Sequence, residues 1–151
     1  MGEPAVSATA LIPAAPPDVY AILADYREGH DRIIPRPPFV SLEVEQGGVG
    51  AGTVIRVRLR LLGRVVAYRA VVTEPVPGRI LAETNENGYM TSFTVERTEE
   101  GGVSRVTIAT ETPRRGRVAT ALERWLLTRL LRPVYVRELE LLAGVAAGSP
   151  S

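Results

Sequence analysis

Four side chains in this sequence are candidates for exchanging protons with a small molecule or for binding its polar group. His30 is the only histidine of the chain, and an ordinary imidazole pKa of about 6.5 suits acid–base catalysis. A tyrosine and a glutamate could pass protons in the same way, and an arginine could bind a carboxylate or polarise a ketone. If the protein is an enzyme, the catalytic candidates are therefore His30, Tyr68, Glu86 and Arg129.

Two of these candidates also have plain structural interpretations. His30 lies in a connection, where an exposed histidine or one that packs against its neighbours is common. Arg129 could extend its charged end to solvent from an apolar helix face, or it could pair inside the protein with Glu86. The residue types alone leave these interpretations open.

Residue types that are absent exclude several chemistries. The chain of 151 residues has no cysteine, which excludes disulfides, thiolate nucleophiles and iron–sulfur clusters. All 18 basic residues are arginines, which excludes a lysine Schiff base and a P-loop lysine. One histidine with scattered carboxylates does not make a compact zinc site. We therefore expect no metal and no cofactor.

The charge and hydropathy of the chain limit its partners. A net charge of +1 gives no reason to expect attraction to nucleic acid. The alternating Arg56, Arg58 and Arg60 are typical of a solvated sheet face, with contact to an acidic protein as the alternative. The first residues lack the features of a signal peptide, and no apolar run is long enough to cross a bilayer. The sequence predicts a cytoplasmic monomer or homodimer without nucleic-acid partners or stable membrane insertion.

The first quarter of the chain predicts one strand and one short helix. Residues 6–12 favour a strand, and the prolines within residues 13–17 end it and begin a helix. The helix over residues 18–26 is amphipathic, because four apolar side chains recur at helical spacing: Val19, Ile22, Leu23 and Tyr26.

Residues 39–112 alternate between apolar and polar types, which predicts an antiparallel meander with one buried face. Two-residue turns centred on Leu62-Gly63, Asn87-Gly88 and Glu100-Gly101 set the register of three hairpins. The predicted pairs are Leu59 with Val66, Val57 with Tyr68, Ala82 with Phe93, Thr84 with Thr91, Glu86 with Tyr89, Phe93 with Ile108, and Val95 with Val106.

The chain after Thr112 predicts a long helix that ends near Leu142, with residues 143–151 as a flexible tail. Pro133 removes one helical hydrogen bond and predicts a kink, either to fit the sheet or to shape a pocket wall. The stripe predicted to face the sheet consists of Val118, Leu122, Trp125, Leu126, Arg129 and Pro133.

The order of these elements resembles the START-like helix-grip superfamily. The motif Pro-x-x-Val-Tyr-x-Ile-Leu-x-Asp at residues 16–25, the turn at residues 74–79 and the helix at 122–142 carry the resemblance. More narrowly, the chain is similar to the polyketide cyclase/dehydrase and lipid-transport group within this superfamily. The resemblance implies an α+β fold over residues 1–142, in which a curved seven-stranded antiparallel sheet wraps the long helix and two short helices follow the first strand.

The resemblance further implies a cavity between sheet and helix, which different members of the superfamily use to carry or to transform hydrophobic molecules. We expect first the binding or carriage of a lipid, quinone, isoprenoid or polyketide-like ligand, and as the alternative a polyketide aromatase/cyclase or dehydratase. Besides Tyr68 and Arg129, the residues expected to line the cavity are Val57, Leu59, Ala82, Thr84, Tyr89, Thr91, Phe93, Ile108, Thr110, Leu122, Trp125 and Leu126.

Overall fold

A computed structural model describes residues 4–113 and 120–148 of the chain. Seven antiparallel strands form a single sheet in the order β1-β7-β6-β5-β4-β3-β2. The strands are β1 Val6–Ile12, β2 Phe39–Gln46, β3 Val54–Leu61, β4 Arg64–Val76, β5 Ile80–Asn85, β6 Met90–Arg97 and β7 Ser104–Glu111. The predicted meander is therefore confirmed, with β1 joining it beside β7.

Two helical segments follow β1, and one long helix ends the described chain. Helix α1, Pro16–Ala24, begins with two prolines, and a single 3₁₀ turn covers His30–Arg32. The long helix α2 spans Ala121–Gly148. These elements confirm the α+β helix-grip architecture, although the second of the two expected short helices is only one turn long.

Two of the three predicted hairpin registers are confirmed. Leu59 pairs with Val66 across β3 and β4, and Phe93 pairs with Ile108 across β6 and β7. Strand β3 alternates between buried aliphatic residues and exposed arginines, as the sequence pattern predicts. The core therefore lies on one face of the sheet, and the arginines lie on the other.

The predicted register of the β5–β6 hairpin is wrong by one residue. Leu81, not Ala82, lies opposite Phe93, and Glu83, not Thr84, lies opposite Thr91. The connection holds three residues between Asn85 and Tyr89, and Gly88 within it has a φ of +89°, which suits a turn that closes with a bulge. Because side chains alternate along a strand, this shift brings Glu83 to the core face and moves Thr84 to the opposite one.

The buried face of α2 lies after Pro133. All five buried residues of this helix follow the proline: Val134, Tyr135, Glu138, Leu139 and Leu142. The part before it leaves Leu122, Trp125 and Leu126 exposed. The predicted stripe is therefore wrong for the described residues, and Val118 lies outside them. Apolar residues surround the first half of α2 on every side, so hydrophobic spacing could not fix which face is buried.

The helix also continues past its predicted end. Residues 143–148 are helical, and Ala143, Val145 and Ala146 pack against the core, so the predicted flexible tail is wrong over this stretch. Its alanines favour a helix, and partial burial of this stretch offsets the low helix propensity of Gly144 and Gly148. The last three residues of the predicted tail, 149–151, lie outside the described chain.

Candidate functional site

A cavity of about 270 Å³ lies between α2 and the core face of the sheet. Much of its wall is aliphatic or aromatic, including Ile55, Val57, Leu59, Phe93, Leu127 and Leu131. Its volume is near the lower end of the range usual for small-molecule sites. The cavity therefore suits a compact ligand with a large apolar surface.

A group of ionisable side chains, which we call the polar cluster, interrupts this apolar lining. Five members line the cavity and come from the 3₁₀ turn, β4, β5 and the buried half of α2: His30, Tyr68, Glu83, Tyr135 and Glu138. The sixth, Tyr26, is fully buried beside them and contacts His30 and Glu83. Burying this many polar groups is costly unless each has a partner or a function.

His30 is held firmly within the polar cluster. The imidazole is 3% exposed, stacks on the Tyr26 ring at 4.3 Å between centroids, and meets Phe93 edge-on. Nδ1 lies 2.8 Å from the carbonyl oxygen of Leu23, which can only accept, so Nδ1 carries a proton. Nε2 then faces the carboxylate of Glu83 at 3.6 Å.

Glu83 joins His30 to a second buried ring. The hydroxyl of Tyr26 donates a hydrogen bond of 2.6 Å to the same Oε2 atom that faces His30. Burial and the charge of Glu83 raise the pKa of Tyr26 well above its usual range, so the phenol keeps its proton and remains a donor. Glu83 is thus a carboxylate with fixed orientation at the cavity wall.

Glu138 is the most unusual group of the site. It is 4% exposed and lies on the wall of the cavity. Burial first, and the nearby negative charge of Glu83 second, raise the pKa of its carboxyl well above the usual range. No hydrogen bond or ion pair to the Glu138 carboxyl exists among the described residues. These surroundings favour the uncharged carboxylic acid, which can both donate and accept a hydrogen bond.

A chain of hydroxyl groups lies beside the carboxyl pair. Thr91 and Thr110 share a hydrogen bond of 2.8 Å, and Thr110 shares another with Tyr135. Burial raises the pKa of Tyr135 to about 12 and that of Tyr68 well above its usual range. The two phenols are therefore neutral hydrogen-bond donors at physiological pH.

The cavity brings together several of the residues that the sequence pointed to. His30 and Tyr68, two of the four catalytic candidates, line it. Six further predicted lining residues do so as well: Val57, Leu59, Tyr89, Thr91, Phe93 and Thr110. The prediction for Ile108 is wrong: it does not line the cavity but is buried in the core.

Three predictions on the β5–β6 hairpin are wrong because of its register. Ala82 and Thr84 lie on the face opposite to Glu83, so they do not line the cavity. Glu86 is exposed near the turn, where its carboxylate accepts a hydrogen bond of 2.7 Å from the backbone N–H of Arg69. It cannot pair with Arg129 inside the protein.

The four predicted contacts from α2 are wrong because of the helix phase. Leu122, Trp125 and Leu126 are exposed, and the guanidinium of Arg129 lies 5.7 Å from the Trp125 ring, outside the cavity. Successive helical residues differ by about 100°, so Trp125 and Leu127 lie nearly on opposite sides. The helix instead contributes Leu127, Leu131, Val134, Tyr135 and Glu138 to the lining.

The sequence interpretation missed Glu83 and Glu138, the two carboxyl groups of the cavity. The sequence does contain a pattern that places Glu138 on a buried helix face. The pattern Val134, Tyr135, Leu139 and Leu142 marks an apolar face after Pro133, and Glu138 falls within it. No comparable signal existed for Glu83, because its face depends on one residue of hairpin register.

These features define the chain as a START-like helix-grip protein with a polar cluster inside its cavity. A family model described as polyketide cyclase / dehydrase and lipid transport matches residues 3–147. The chain belongs to that family, so the resemblance inferred from the sequence is confirmed. No match was found among curated proteins.

Solved structures agree with this assignment. The KanY protein is 28% identical over 98% of this chain and 100% of its own, with a TM-score of 0.78. Zhui aromatase/cyclase from Streptomyces sp. R1128 is 19% identical over 94% of this chain and 92% of its own, with a TM-score of 0.68. A START superfamily protein from Mycobacterium smegmatis is 13% identical over 94% of this chain and 96% of its own, with a TM-score of 0.67. The last two similarities show only that the proteins share a fold.

The raised pKa of Glu138 predicts how stability depends on pH. Its folded-state pKa lies above the unfolded value of 4.5, so its stabilising proton is fully present below that pH and is lost as pH rises through the folded pKa. Glu138→Gln keeps the shape and does not titrate. We expect this variant to gain at least about 1 kcal/mol over the native chain between pH 5 and pH 9, because each pKa unit is worth about 1.4 kcal/mol.

Urea unfolding across this pH range measures the difference. Glu140→Gln is the matched control, because Glu140 is an exposed carboxylate on the same helix that pairs with Arg137. Parallel pH profiles for the native chain and Glu138→Gln would contradict the raised pKa.

Proposed function

We propose that the protein binds a compact, uncharged, largely apolar molecule that carries a carbonyl or hydroxyl oxygen. The observation that supports this most strongly is a pair of polar side chains, Glu138 and Tyr68, that have no partner among the described residues and lie beside an apolar wall. The family, whose description joins cyclase or dehydrase activity to lipid transport, supports hydrophobic ligands in general. The oxygen-bearing class rests on the polar cluster.

Both unpartnered groups have their polar atoms at the cavity. Neither the Glu138 nor the Tyr68 side chain hydrogen-bonds to another residue in segments 4–113 and 120–148, and no fully enclosed side-chain oxygen there lacks a partner. Their oxygens must therefore reach open space, and both residues line the cavity. A neutral carboxylic acid and a phenol are two donors that a ligand oxygen could accept from.

The charge of the site argues for an uncharged ligand. Glu83 places a negative charge on the cavity wall, and no arginine lines the cavity within the described chain. An anionic ligand would therefore meet repulsion without a compensating cation. A neutral ketone or alcohol would not meet this repulsion.

Three aromatic probes of similar size test this proposal: naphthalene, 2-acetylnaphthalene and 2-naphthoate. We expect the ketone to bind the native chain more tightly than the hydrocarbon by about 1 kcal/mol, the typical net value of a hydrogen bond, and the carboxylate to bind weakest at neutral pH. Tyr68→Phe should remove most of the advantage of the ketone and leave naphthalene binding unchanged. Isothermal titration calorimetry gives the affinities.

Thr128→Ala is the control variant, because Thr128 lies outside the cavity and hydrogen-bonds to the Ala5 carbonyl. Tightest binding of the carboxylate, or equal binding of ketone and hydrocarbon, would contradict the proposal.

A second candidate function is the dehydration or cyclisation of such a ketone. The observation in its favour is that Glu138, whose pKa burial raises, lies on the same cavity wall as Glu83, which faces His30 at 3.6 Å. Environments that separate the protonation states of two neighbouring carboxyl groups are typical of acid–base sites. In a dehydration, Glu83 or His30 would remove the α-proton of a β-hydroxy ketone while Glu138 protonates the leaving hydroxyl, giving an enone and water.

Absorbance of the conjugated enone follows this reaction with a β-hydroxy aryl ketone as substrate. We expect Glu83→Gln and Glu138→Gln each to lower the rate at least about a hundredfold, as is typical for loss of a general acid or base. Arg129→Ala should leave the rate unchanged, since Arg129 lies outside the cavity. Full activity in both carboxyl variants would rule out this mechanism and leave binding as the function.

A further inference from the structure

The exposed side of α2 before Pro133 carries several large apolar side chains that do not pack in the core. Leu122 is 66% exposed, Trp125 57% and Leu126 40%. The core-facing side of the same segment already supplies Leu127 and Leu131 to the cavity wall. Large apolar side chains grouped on one surface usually mark a binding face.

Arginines border this apolar group. Arg129 lies over the Trp125 ring, and Arg132 follows on the same side of the helix. Both are exposed, and neither has a carboxylate partner among the described residues. Further along, Arg137 already pairs with Glu140 at 3.0 Å. Two unpaired cations beside an apolar group therefore favour an acidic occupant.

We propose that this side of α2 is a docking surface for an anionic lipid bilayer. We define the docking surface as Leu122, Trp125, Leu126, Arg129 and Arg132. An interfacial helix presents apolar and tryptophan side chains to the acyl boundary and arginines to lipid phosphates. Arginine stems are long enough to reach the phosphates while the neighbouring leucines enter the apolar layer.

The charges argue against a second copy of this chain as the occupant. A symmetric dimer would bring the same surface of both copies together. Arg129 and Arg132 of one copy would then lie close to those of the other, with no carboxylate on the docking surface to offset them. An anionic bilayer meets both the apolar and the cationic groups.

The docking surface adjoins the cavity. Leu127 and Leu131, which line the cavity, belong to the same turns of α2 as the docking surface. A bilayer on this side would therefore lie close to the walls of the cavity. The proposal itself does not depend on which ligand the cavity holds.

No helix in segments 4–113 and 120–148 is long and apolar enough to cross a membrane. Docking by the surface of α2 is therefore attachment in the plane of the bilayer.

Trp125 is the only tryptophan of the chain and reports its own environment. We expect its emission to shift to shorter wavelength and to be quenched by brominated phospholipids when vesicles of phosphatidylcholine with phosphatidylglycerol are added. Vesicles of phosphatidylcholine alone should bind much more weakly. The double variant Arg129→Gln/Arg132→Gln should lower the partition coefficient about 25-fold, at about fivefold for each arginine.

The double variant Arg58→Gln/Arg60→Gln is the matched control, since it removes the same charge from exposed positions on the other side of the sheet. It should change partitioning less than about twofold, because the attraction falls off within a Debye length of the surface. All four substitutions replace exposed side chains, and far-UV circular dichroism checks that each variant folds.

Three results would overturn the proposal. One is unchanged Trp125 emission with both kinds of vesicle. Another is equal loss of binding in both arginine double variants, which would indicate attraction by overall charge. The third is a blue shift of Trp125 that grows with protein concentration in the absence of lipid, which would identify a second copy as the occupant.

Discussion

The burial of Glu138 beside Glu83 is the constraint on which the account of this protein depends. Two carboxyl groups share an apolar cavity, and the described residues give Glu138 neither a cation nor a hydrogen-bond donor. One of the two must then hold a proton, because a second buried negative charge would be very costly. Glu83 accepts a hydrogen bond from Tyr26, whereas burial raises the pKa of Glu138 well above its usual range, so Glu138 is the group that holds the proton.

Two features of the fold produce this arrangement. The three-residue connection between β5 and β6 turns Glu83 toward the core, and Pro133 marks the point after which α2 packs closely. Leu139 and Leu142 anchor that second half, so the Glu138 side chain cannot move readily to solvent. In the first half of α2, Leu127 and Leu131 face the cavity, whereas Leu122 and Leu126 face solvent. This part of the helix therefore forms cavity wall on one side and an exposed apolar surface on the other.

The sequence predicted the architecture well and the site only in part. Period-two patterning and turn residues predicted the first strand and the antiparallel meander, since these signals depend on local chemistry. Tyr68, Phe93 and Thr110 were placed on the cavity side because their registers followed from two short hairpins. Glu83 was missed because one extra turn residue reverses the faces of β5. Trp125 and Arg129 were misplaced because apolar residues surround that part of α2, and only tertiary packing selects the buried face.

The most direct test of the central claim is infrared spectroscopy of the carboxyl groups at neutral pH. We expect a carbonyl stretch from a protonated carboxylic acid at pH 7 in the native chain. This band should be absent from the spectrum of Glu138→Gln and retained in Glu140→Gln. Identical native and Glu138→Gln spectra in this region would mean that Glu138 is ionised, and the cavity would then not be a site for an uncharged, oxygen-bearing ligand.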